Sequence, residues 1–382
     1  MDFELSRRQL ELQESARDVV DRVIAPVTDA LPAGAKLSAG QIRDFYRALA
    51  PLGYLGSTLP AEIGGAAMSH VDYGLLLEAL AHGPVILGEI VAPRLVHHLG
   101  DHSQQARWLP PLLNGDFIST SAITEPQAGS DVRNLQMTLR RDHDGLRLVG
   151  RKKWIKLGGV SDLMALLLVA DREKGAAAGT SRVIVERSAT PWTSSELESV
   201  GMRNLSWVEL AFEAVPLPEE NVLGDPGAGT EAFYRGIEGS RAFVAIEATG
   251  MADRALELAG AYVRERMAFG RPLARFQDIQ VKLADAHALL DAARLLALRA
   301  LAILDSGRRC PKEASMAKAF CTEAAVQVCG SAMDCMGSFG LSTAAGVERC
   351  WRDSRMMTVI DGTSTIQKLI VGRELLGVAA FV

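Results

Sequence analysis

The spacing of the apolar residues changes twice along this chain of 382 residues, and no other feature constrains its fold as much. Up to about residue 115, and again after residue 229, apolar side chains recur with the 3.6-residue period of helices. Between these regions lie short apolar runs separated by Gly, Asp, Asn or Pro, for example residues 117–124 and 181–186, which indicates antiparallel strands. The sequence therefore predicts an α+β protein with an N-terminal helical domain at residues 1–115, a central antiparallel β-domain at 116–224 and a C-terminal four-helix bundle at 225–382.

The individual helices are predicted from the same period. In the N-terminal domain they cover residues 3–27, where Pro26 helps to end the first helix, and residues 41–52, 69–81, 84–99 and 104–113. In the C-terminal part they cover residues 230–266, 276–305, 311–336 and 363–378. A stretch rich in Gly and Ala at residues 175–180 predicts a loop within the β-domain.

Charge and composition exclude several classes of function. The chain has 46 Asp and Glu against 41 Lys and Arg, a net charge of −5 and an isoelectric point near 5.9, which argues against nucleic acid as a partner. The longest apolar run, residues 163–170, is too short to span a bilayer, and the first residues include acids and no apolar stretch. The sequence therefore predicts a soluble, cytoplasmic protein.

Cysteine and histidine residues give no sign of a metal centre. The five cysteines all lie in the C-terminal part without a CxxC pair, so buried thiols are expected rather than disulfides or zinc ligands. Five histidines fall within residues 70–102, without the partnered carboxylates or cysteines that metal sites normally bring. We therefore expect no metal ion.

The residues that suggest a reaction stand near the C-terminus. Asp361 and Gly362 form a turn dipeptide, Thr363 or Ser364 is suited to cap a helix, and apolar residues follow at helical spacing. Taken alone, this pattern predicts a turn before a last helix, and few such turns carry out chemistry. Together with its surroundings, RDSRMMTVIDGTSTIQKLIVGREL, the turn closely resembles the C-terminal signature of the acyl-CoA dehydrogenase family.

This resemblance implies roles for the residues of the turn. In the family, the residue at the position of Asp361 is the base that removes the α-proton of an acyl thioester, and it is usually Glu. Gly362 is then expected beside the substrate, and Thr363 and Thr365 beside an FAD cofactor. Arg241, on a predicted helix, resembles the arginine that borders the acyl pocket. The resemblance therefore implies that Asp361 is the base. Since Asp is one methylene shorter than Glu, the type of acyl group stays open.

Two segments of the predicted β-domain resemble the parts of the family that hold the flavin. The loop TEPQAGSD resembles the flavin loop, in which Thr124 meets the pyrimidine edge of FAD and Ser130 its pyrophosphate. GRKKWIKLGG resembles the strand whose Trp154 lies against the flavin ring. Lys156 replaces the Ser or Thr that bonds flavin N5, and two alternatives stay open: a cation beside N5, or a side chain turned to solvent.

Two helical segments resemble the family's subunit interface and dinucleotide site. YVRERMAFGRPLARFQ is similar to the segment in which Arg266, Phe269 and Gln277 reach the FAD of a neighbouring subunit, which implies a homodimer or homotetramer. ASMAKAFCTEAAVQVCGSAMDCMGSFG is similar to a helix and the dinucleotide-binding loop behind it. Gly337 fits that loop, and Asp334 stands where the family usually has Gln, so an acid there would repel pyrophosphate.

Together these segments imply an FAD-dependent oxidoreductase. The family removes an α-proton and a β-hydride from an acyl thioester, here carried on CoA or a carrier protein, and the main-chain N–H of Asp361 would polarise the thioester carbonyl. The product is the α,β-unsaturated thioester, and the electrons pass to an electron-transfer flavoprotein or O2. Two alternatives stay open. One is a flavin oxidase of the same fold that uses Asp as its base, as nitroalkane oxidases do, and the other is a flavin-binding homologue without turnover.

Overall fold

The computed structural model describes residues 4–32, 34–170 and 179–380, so most of the loop predicted at residues 175–180 lies outside the described residues. The helices of the N-terminal part have these bounds: α1 Arg7–Val19, α2 Ala25–Asp29, α3 Ala39–Leu49, α4 His70–Leu80, α5 Ala92–Leu99 and α6 His102–Leu113. Three of them begin with a capping box, in which a side-chain oxygen and a glutamine three residues later satisfy free N–H groups: Ser6 with Gln9, Ser38 with Gln41, and Asp101 with Gln104.

The first helical region runs past the proline that was expected to end it. Val20–Ile24 form a π-helical turn that joins α1 directly to α2, and Pro26 lies in the first turn of α2. The π-helical turn just before Pro26 shifts the hydrogen-bond pattern by one residue, so that the continuous helix accommodates a residue without an N–H group. The prediction that Pro26 ends the helix is therefore wrong, and the helical path continues to Asp29.

The helix predicted over residues 84–99 is only half present. Its second half is α5, whereas residues 84–91, hereafter the 84–91 segment, are buried or half-buried without being helical. Gly88 has a φ of +72°, which a helix does not allow. The hydroxyl of Tyr54 donates to the Gly88 carbonyl at 2.5 Å, and Asn204 Nδ2 donates to the Pro84 carbonyl at 2.8 Å. Bonds from distant residues thus take the place of helical bonds.

The central part is one twisted sheet. Its strands are β1 Ser119–Ala122, β2 Thr138–Asp142, β3 Gly145–Lys156, β4 Leu163–Val169, β5 Thr180–Glu186, β6 Thr193–Glu196, β7 Trp207–Leu217 and β8 Val222–Leu223. The order is β6-β7-β3-β2-β4-β5-β8, and β1 pairs with β4. Most neighbours are antiparallel, but β1 and β2 each run parallel to β4, so the sheet is mixed rather than purely antiparallel. The β2–β3 hairpin lies between β1 and β4 in the chain, and it gives the length that a parallel return requires.

Long helices make up the C-terminal part: α7 Gly229–Glu265, α8 Gln277–Asp305, α9 Pro311–Met336, α10 Val347–Met357 and α11 Ser364–Leu376. A small antiparallel hairpin, β9 Met267–Ala268 with β10 Arg271–Pro272, joins α7 to α8. Helices α7, α8 and α9 pack on one another, α11 packs on α9, and α10 packs on both α7 and α9. The short helix α10 was not among the predicted helices.

Side chains from all three parts share one apolar core. It includes Leu76 of α4, Trp207 of β7, Ile246 of α7 and Leu301 of α8, each at most 5% exposed. Burying such side chains stabilises the protein by about 1.5–3 kcal/mol apiece. At the edge of this core the 84–91 segment, the end of β3, the middle of α7 and the turn before α11 come together, and these four elements carry the candidate site described below.

The cysteines are buried thiols, as the sequence predicts. All five cysteines are buried and unpaired. Burial raises the pKa of the Cys310 and Cys350 thiols to about 11, so these thiols stay protonated and unreactive near neutral pH. Among the described residues, no helix is both long enough and apolar enough to cross a membrane.

Candidate active site

Asp361 lies in a turn between α10 and α11 that four hydrogen bonds hold in place. Gln367 Nε2 donates to the carbonyl oxygens of both Asp361 and Gly362 at 3.0 Å. Lys318 Nζ of α9 donates to the Gly362 carbonyl at 2.7 Å, and Arg241 Nε of α7 reaches the Asp361 carbonyl at 3.5 Å. Because these donors come from three different helices, the direction of the Asp361 side chain is set by the packing of the whole bundle.

The backbone of this turn is left-handed at two successive residues. Asp361 has a φ of +52° and Gly362 a φ of +99°. A side chain at position 362 would be strained at that angle, and its Cβ would lie 2.6 Å from Gln367 Nε2, so only glycine fits. Thr363 caps α11 by accepting from the N–H of Ile366 at 3.4 Å. A non-glycine residue held at positive φ is a strained arrangement of the kind that clusters at functional sites.

The Asp361 carboxyl is half-buried, and its surroundings act on its basicity in two directions. Burial raises the pKa of Asp361 above its ordinary value, while the nearby cations Lys318, Arg241 and Lys156 oppose that rise. A raised pKa makes a carboxylate a stronger proton acceptor, and the cations favour its ionised form. This balance is the one that a catalytic base requires.

Two more carboxylates lie close to Asp361. Glu89, in the 84–91 segment, accepts from Arg94 Nη2 at 2.5 Å, and burial raises its pKa against the opposing effect of Arg94. Glu247, in the middle of α7, is 4% exposed, and burial raises its pKa to about 8 although Lys156 acts in the other direction. Asp361 raises the pKa of both groups, which means that the three carboxylates share one electrostatic environment.

Lys156, the last residue of β3, is turned into this environment rather than to solvent. Its ammonium donates to the Leu87 carbonyl at 2.6 Å. Burial lowers the pKa of Lys156, while Glu247, Asp361 and Glu89 oppose the fall in that order. The alternative in which Lys156 turns to solvent is therefore wrong, and its place beside flavin N5 stays a prediction. Lys156 therefore joins the β-domain to the site around Asp361.

The loop from Thr124 to Asp131 is anchored from beneath by a buried ion pair. Glu125 and Ala128 exchange two backbone hydrogen bonds, at 2.9 and 3.2 Å, which close the loop. Lys152 Nζ of β3 donates to Glu125 Oε1 at 2.8 Å, and both side chains are at most 1% exposed. The main-chain N–H of Lys153 donates to the Thr124 carbonyl at 2.9 Å, which fixes the start of the loop on β3.

The residues on this face fit a flavin dinucleotide. Trp154 has a φ of +61° and remains 46% exposed, so it offers a flat apolar surface suited to an aromatic ring system. Ser130 is exposed, and the space around the missing side chain of Gly129 is open to 4 Å, so a phosphate can approach the loop backbone there. Lys156 lies two residues beyond Trp154 on the same strand.

The residues predicted to serve a neighbouring subunit lie on the surface. Phe269 has a φ of +47° and is 95% exposed in the hairpin after α7, while Arg266 and Gln277 are exposed on either side of it. At the end of α9, Gly337 has open space around it and Asp334 lies 3.7 Å from Lys282 Nζ, a cation that offsets the repulsive charge expected there. Among the described residues no hydrogen bond or ion pair joins this group to Asp361.

Of the predicted site residues, the structure thus brings together Asp361, Gly362, Thr363, Arg241 and Lys156, while Thr365 is exposed on the first turn of α11. Sequence reasoning missed four further residues that surround Asp361: Glu89, Glu247, Lys318 and Gln367. One of them had a signal. Glu247 is a lone acid in the run AFVAIEATG, where a helix without a polar face predicts burial, and buried acids are rare.

His82, Asp253 and Glu257 form a cluster with ligand-like spacing away from this site. His82 Nε2 lies 3.1 Å from Asp253 and Nδ1 lies 3.6 Å from Glu257. The guanidinium of Arg17 also approaches Asp253, at 3.8 Å, so a cation already shares these carboxylates. An ion-pair cluster that ties α1 to α7 explains the arrangement without a metal.

Comparisons with known proteins agree with the geometry. The models of the acyl-CoA dehydrogenase N-terminal, middle and C-terminal domains match residues 6–116, 120–215 and 227–376. A probable acyl-CoA dehydrogenase of Bacillus subtilis, YngJ, is 32% identical over 98% of this chain and 100% of its own length.

Solved structures extend this similarity. Butyryl-CoA dehydrogenase from Megasphaera elsdenii superposes with a TM-score of 0.90 at 29% identity, covering 98% of this chain and 100% of that one. The prolyl acyl carrier protein oxidase AnaB superposes with a TM-score of 0.88 at 25% identity, covering 98% and 100%. The chain therefore belongs to the acyl-CoA dehydrogenase family of FAD-dependent oxidoreductases.

Proposed function

We propose that this enzyme desaturates an acyl thioester, with Asp361 as the base that removes the α-proton. The observation that carries the proposal is the turn at Asp361 and Gly362, whose main-chain carbonyls accept from Gln367, Lys318 and Arg241, so that the turn presents a half-buried carboxylate in a fixed direction. FAD, when bound, supplies the acceptor for the β-hydride. The product is the α,β-unsaturated thioester.

The same turn supports polarisation of the thioester carbonyl. Among the described residues no hydrogen-bond acceptor is recorded for the main-chain N–H of Asp361. A free N–H beside the base is suited to stabilise the negative charge that develops on the carbonyl oxygen as the α-proton leaves. The proton then rests on the Asp361 carboxyl, whose pKa is raised by burial.

The cofactor contacts follow from the same family relationship. Thr124, Ser130, Trp154 and Lys156 are proposed to hold the flavin of their own subunit, with Thr363 and Thr365 beside it. From the neighbouring subunit, the group at the bundle surface completes the site: Arg266, Phe269, Gln277, Asp334 and Gly337. The support for this is the 95% exposure of Phe269, which is costly unless a second copy of the chain covers it. Arg266→Ala should then lose FAD and dissociate together, as measured by absorbance and molar mass during gel filtration.

A second candidate function differs in the electron acceptor and in the carrier of the acyl group. The AnaB likeness is to an oxidase that acts on a carrier-bound prolyl group, so O2 and a carrier protein are realistic alternatives to an electron-transfer flavoprotein and CoA. An Asp base is also what nitroalkane oxidases use at this place. Fast reoxidation of the reduced enzyme in air would favour an oxidase, and slow reoxidation a dehydrogenase.

The experiment that tests the proposal is Asp361→Asn. Asn is nearly isosteric and cannot accept the proton, so FAD content and fold should persist while flavin reduction by acyl thioesters falls by at least about 10³-fold, the scale of a lost general base. Asp361→Glu should retain reduction with a shifted acyl preference. The exposed Asp44→Asn is the control, and it should leave the rate unchanged. Bleaching of Asp361→Asn at a rate close to that of the control would show that another group is the base.

A further inference from the structure

The side of the site formed by the 84–91 segment and α7 is charged, where a hydrocarbon chain would require an apolar wall. Glu247 is the clearest case, because its neighbours from Ala242 to Gly250 are otherwise apolar, small or hydroxylated. Its side chain is almost fully buried at 4% exposure. Within the described residues no hydrogen bond reaches its carboxylate and no cation lies within 4.0 Å of it. A buried carboxylate without a donor is strongly unfavourable and calls for a partner.

Glu89 supplies a second acceptor of the same kind. One of its carboxylate oxygens is bonded to Arg94, and the other, Oε1, is buried without a hydrogen bond of normal geometry among the described residues, although the Ser240 hydroxyl lies close enough to lower the Glu89 pKa. Glu89 and Glu247 come from separate elements, the 84–91 segment and α7, and Asp361 raises the pKa of each of them. The unfilled acceptors therefore lie on the side of the site where Asp361 acts.

Lys156 does not fill them. Its ammonium is engaged with the Leu87 carbonyl at 2.6 Å and makes no ion pair with Glu247 within the described parts of the chain. Both groups converge on Gly88: a Cβ placed there would lie 2.7 Å from Lys156 Nζ and 3.8 Å from Glu247 Oε1. Because residue 88 is glycine, the Lys156 ammonium and the Glu247 carboxyl can both lie beside its Cα, where a side chain would displace the ammonium.

A small cavity borders Glu247. It has a volume of about 10 Å³ and is lined by apolar side chains such as Ile24, Leu77 and Leu87 together with Gly88 and Glu247. This volume is enough for about one water molecule. Glu247 is the polar side chain on its otherwise apolar wall, so a single polar atom placed in the cavity would meet the Glu247 carboxyl.

We infer that Glu89, Glu247 and Lys156 form a polar acyl subsite that binds a short acyl group carrying a hydrogen-bond donor, an ammonium or a hydroxyl. This inference rests on the proposed function and names its substrate class. An alkyl group, or a carboxylate, has no hydrogen to donate and would leave the oxygens of Glu89 and Glu247 without donors. A donor group satisfies them, and Lys156 can accept no hydrogen bond but balances the charge of the pair.

A set of matched acyl thioesters tests the inference. Butyryl, 3-hydroxypropionyl and β-alanyl groups have equal numbers of heavy atoms and end in a methyl, a hydroxyl and an ammonium, while succinyl ends in a carboxylate. Each is presented on CoA and on a phosphopantetheinylated carrier protein, and the rate of flavin bleaching is measured. We expect one of the two donor-bearing thioesters to react at least 10-fold faster than both butyryl and succinyl, which bring no donor. Preference for β-alanyl assigns an ammonium, and preference for 3-hydroxypropionyl a hydroxyl.

Binding gives a readout that does not depend on turnover. The thioether analogues of the same four thioesters cannot react, and their dissociation constants are measured by calorimetry. Glu247→Leu should remove the preference for donor groups, Glu247→Gln should retain it for a hydroxyl and weaken it for an ammonium, and the exposed Glu231→Gln on the same helix should change nothing. A wild-type protein that binds the butyryl analogue most tightly would overturn the inference. If the analogues bind in the expected order but no thioester reduces the flavin, the proposed function fails and the subsite stands.

Discussion

Lys152 and Lys156 lie four residues apart on β3, and both turn their ammonium groups into the protein, but they are partnered very differently. Lys152 Nζ donates three hydrogen bonds, to the carbonyls of Ile123 and Leu167 at 2.7 Å and to Glu125 at 2.8 Å. Glu125 in turn accepts from the main-chain N–H groups of Gln136 and Met137. Among the described residues Lys156 has one such bond, and Glu247, the carboxylate that acts most strongly on its pKa, has none.

The difference distinguishes a lysine with a structural role, Lys152, from a lysine for which we propose a role at the candidate site, Lys156. Burial lowers the pKa of Lys152 to about 8 even with Glu125 beside it, so desolvation is costly at both places. At Lys152 that cost is offset by a complete set of partners that fix the flavin loop. At Lys156 the partners are incomplete, which is the condition expected where a ligand supplies the rest.

The largest effect is expected from breaking the complete pair. Lys152→Met leaves the Glu125 carboxylate buried without its cation, which should lower the free energy of unfolding by about 3–5 kcal/mol. Urea denaturation of the wild type and the variant measures this loss in the free energy of unfolding. Lys153→Met is the control on the same strand, since Lys153 forms a partly exposed ion pair with Glu209 and its loss should cost at most about 1 kcal/mol.

Adding Glu125→Leu to Lys152→Met should recover part of that loss, because a buried ion pair can be replaced by apolar side chains of similar volume. Equal stability of Lys152→Met and Lys153→Met would contradict the structural assignment of the pair.

Asp353 of α10 has fewer hydrogen-bond partners than Glu125 and more than Glu247. The pH dependence of stability therefore tests how costly its burial is. Within the described parts of the chain this buried carboxyl has one donor, the N–H of Met202 at 2.5 Å, and burial raises its pKa from 3.8 to about 6. Because the folded protein takes up this proton before the unfolded chain does, wild-type stability should rise relative to Asp353→Asn as the pH falls from 6 to 4. The shift corresponds to about 3 kcal/mol at roughly 1.36 kcal/mol per pH unit.

Unfolding free energies of wild type and Asp353→Asn at pH 4, 5, 6 and 7 measure that difference. Above pH 6 both the folded and the unfolded carboxyl are ionised, so the difference should be constant there. Parallel pH profiles across the whole range would mean that the Asp353 pKa is not raised by folding.

The smallest effect on stability is expected at Lys156. Lys156→Met removes a single hydrogen bond and also the cost of burying a charge, so the unfolding free energy should change by about 1 kcal/mol or less. The same change should lower the reduction potential of bound FAD, because a nearby cation favours the negative charge added on reduction.

An interaction of about 1.4 kcal/mol corresponds to roughly 30 mV for a two-electron couple, which dye equilibration resolves. Lys153→Met serves again as the control. An unchanged potential in Lys156→Met would remove Lys156 from the flavin environment, and a stability loss as large as that of Lys152→Met would erase the contrast between the two lysines.

The sequence by itself determined the succession of helical, β and helical parts, because hydrophobic period is a local property that each element carries in its own residues. It also predicted roles for Asp361, the loop from Thr124 to Asp131 and Trp154, because the family resemblance lies in segments that are contiguous in the chain. Where local signals compete with distant contacts, it was less reliable. Pro26 did not end a helix, residues 84–91 did not form one, and two strands run parallel to β4.

Only the tertiary structure decided which charges are buried and which of them are satisfied. Glu89, Lys156, Glu247 and Asp361 are far apart in the chain and meet because the 84–91 segment, β3, α7 and the turn before α11 pack together. No local pattern encodes such a meeting, since desolvation and Coulomb interaction depend on all neighbours in space. For the same reason, Lys152 and Lys156 look alike in the sequence, and their partners alone distinguish the structural lysine from the one at the candidate site.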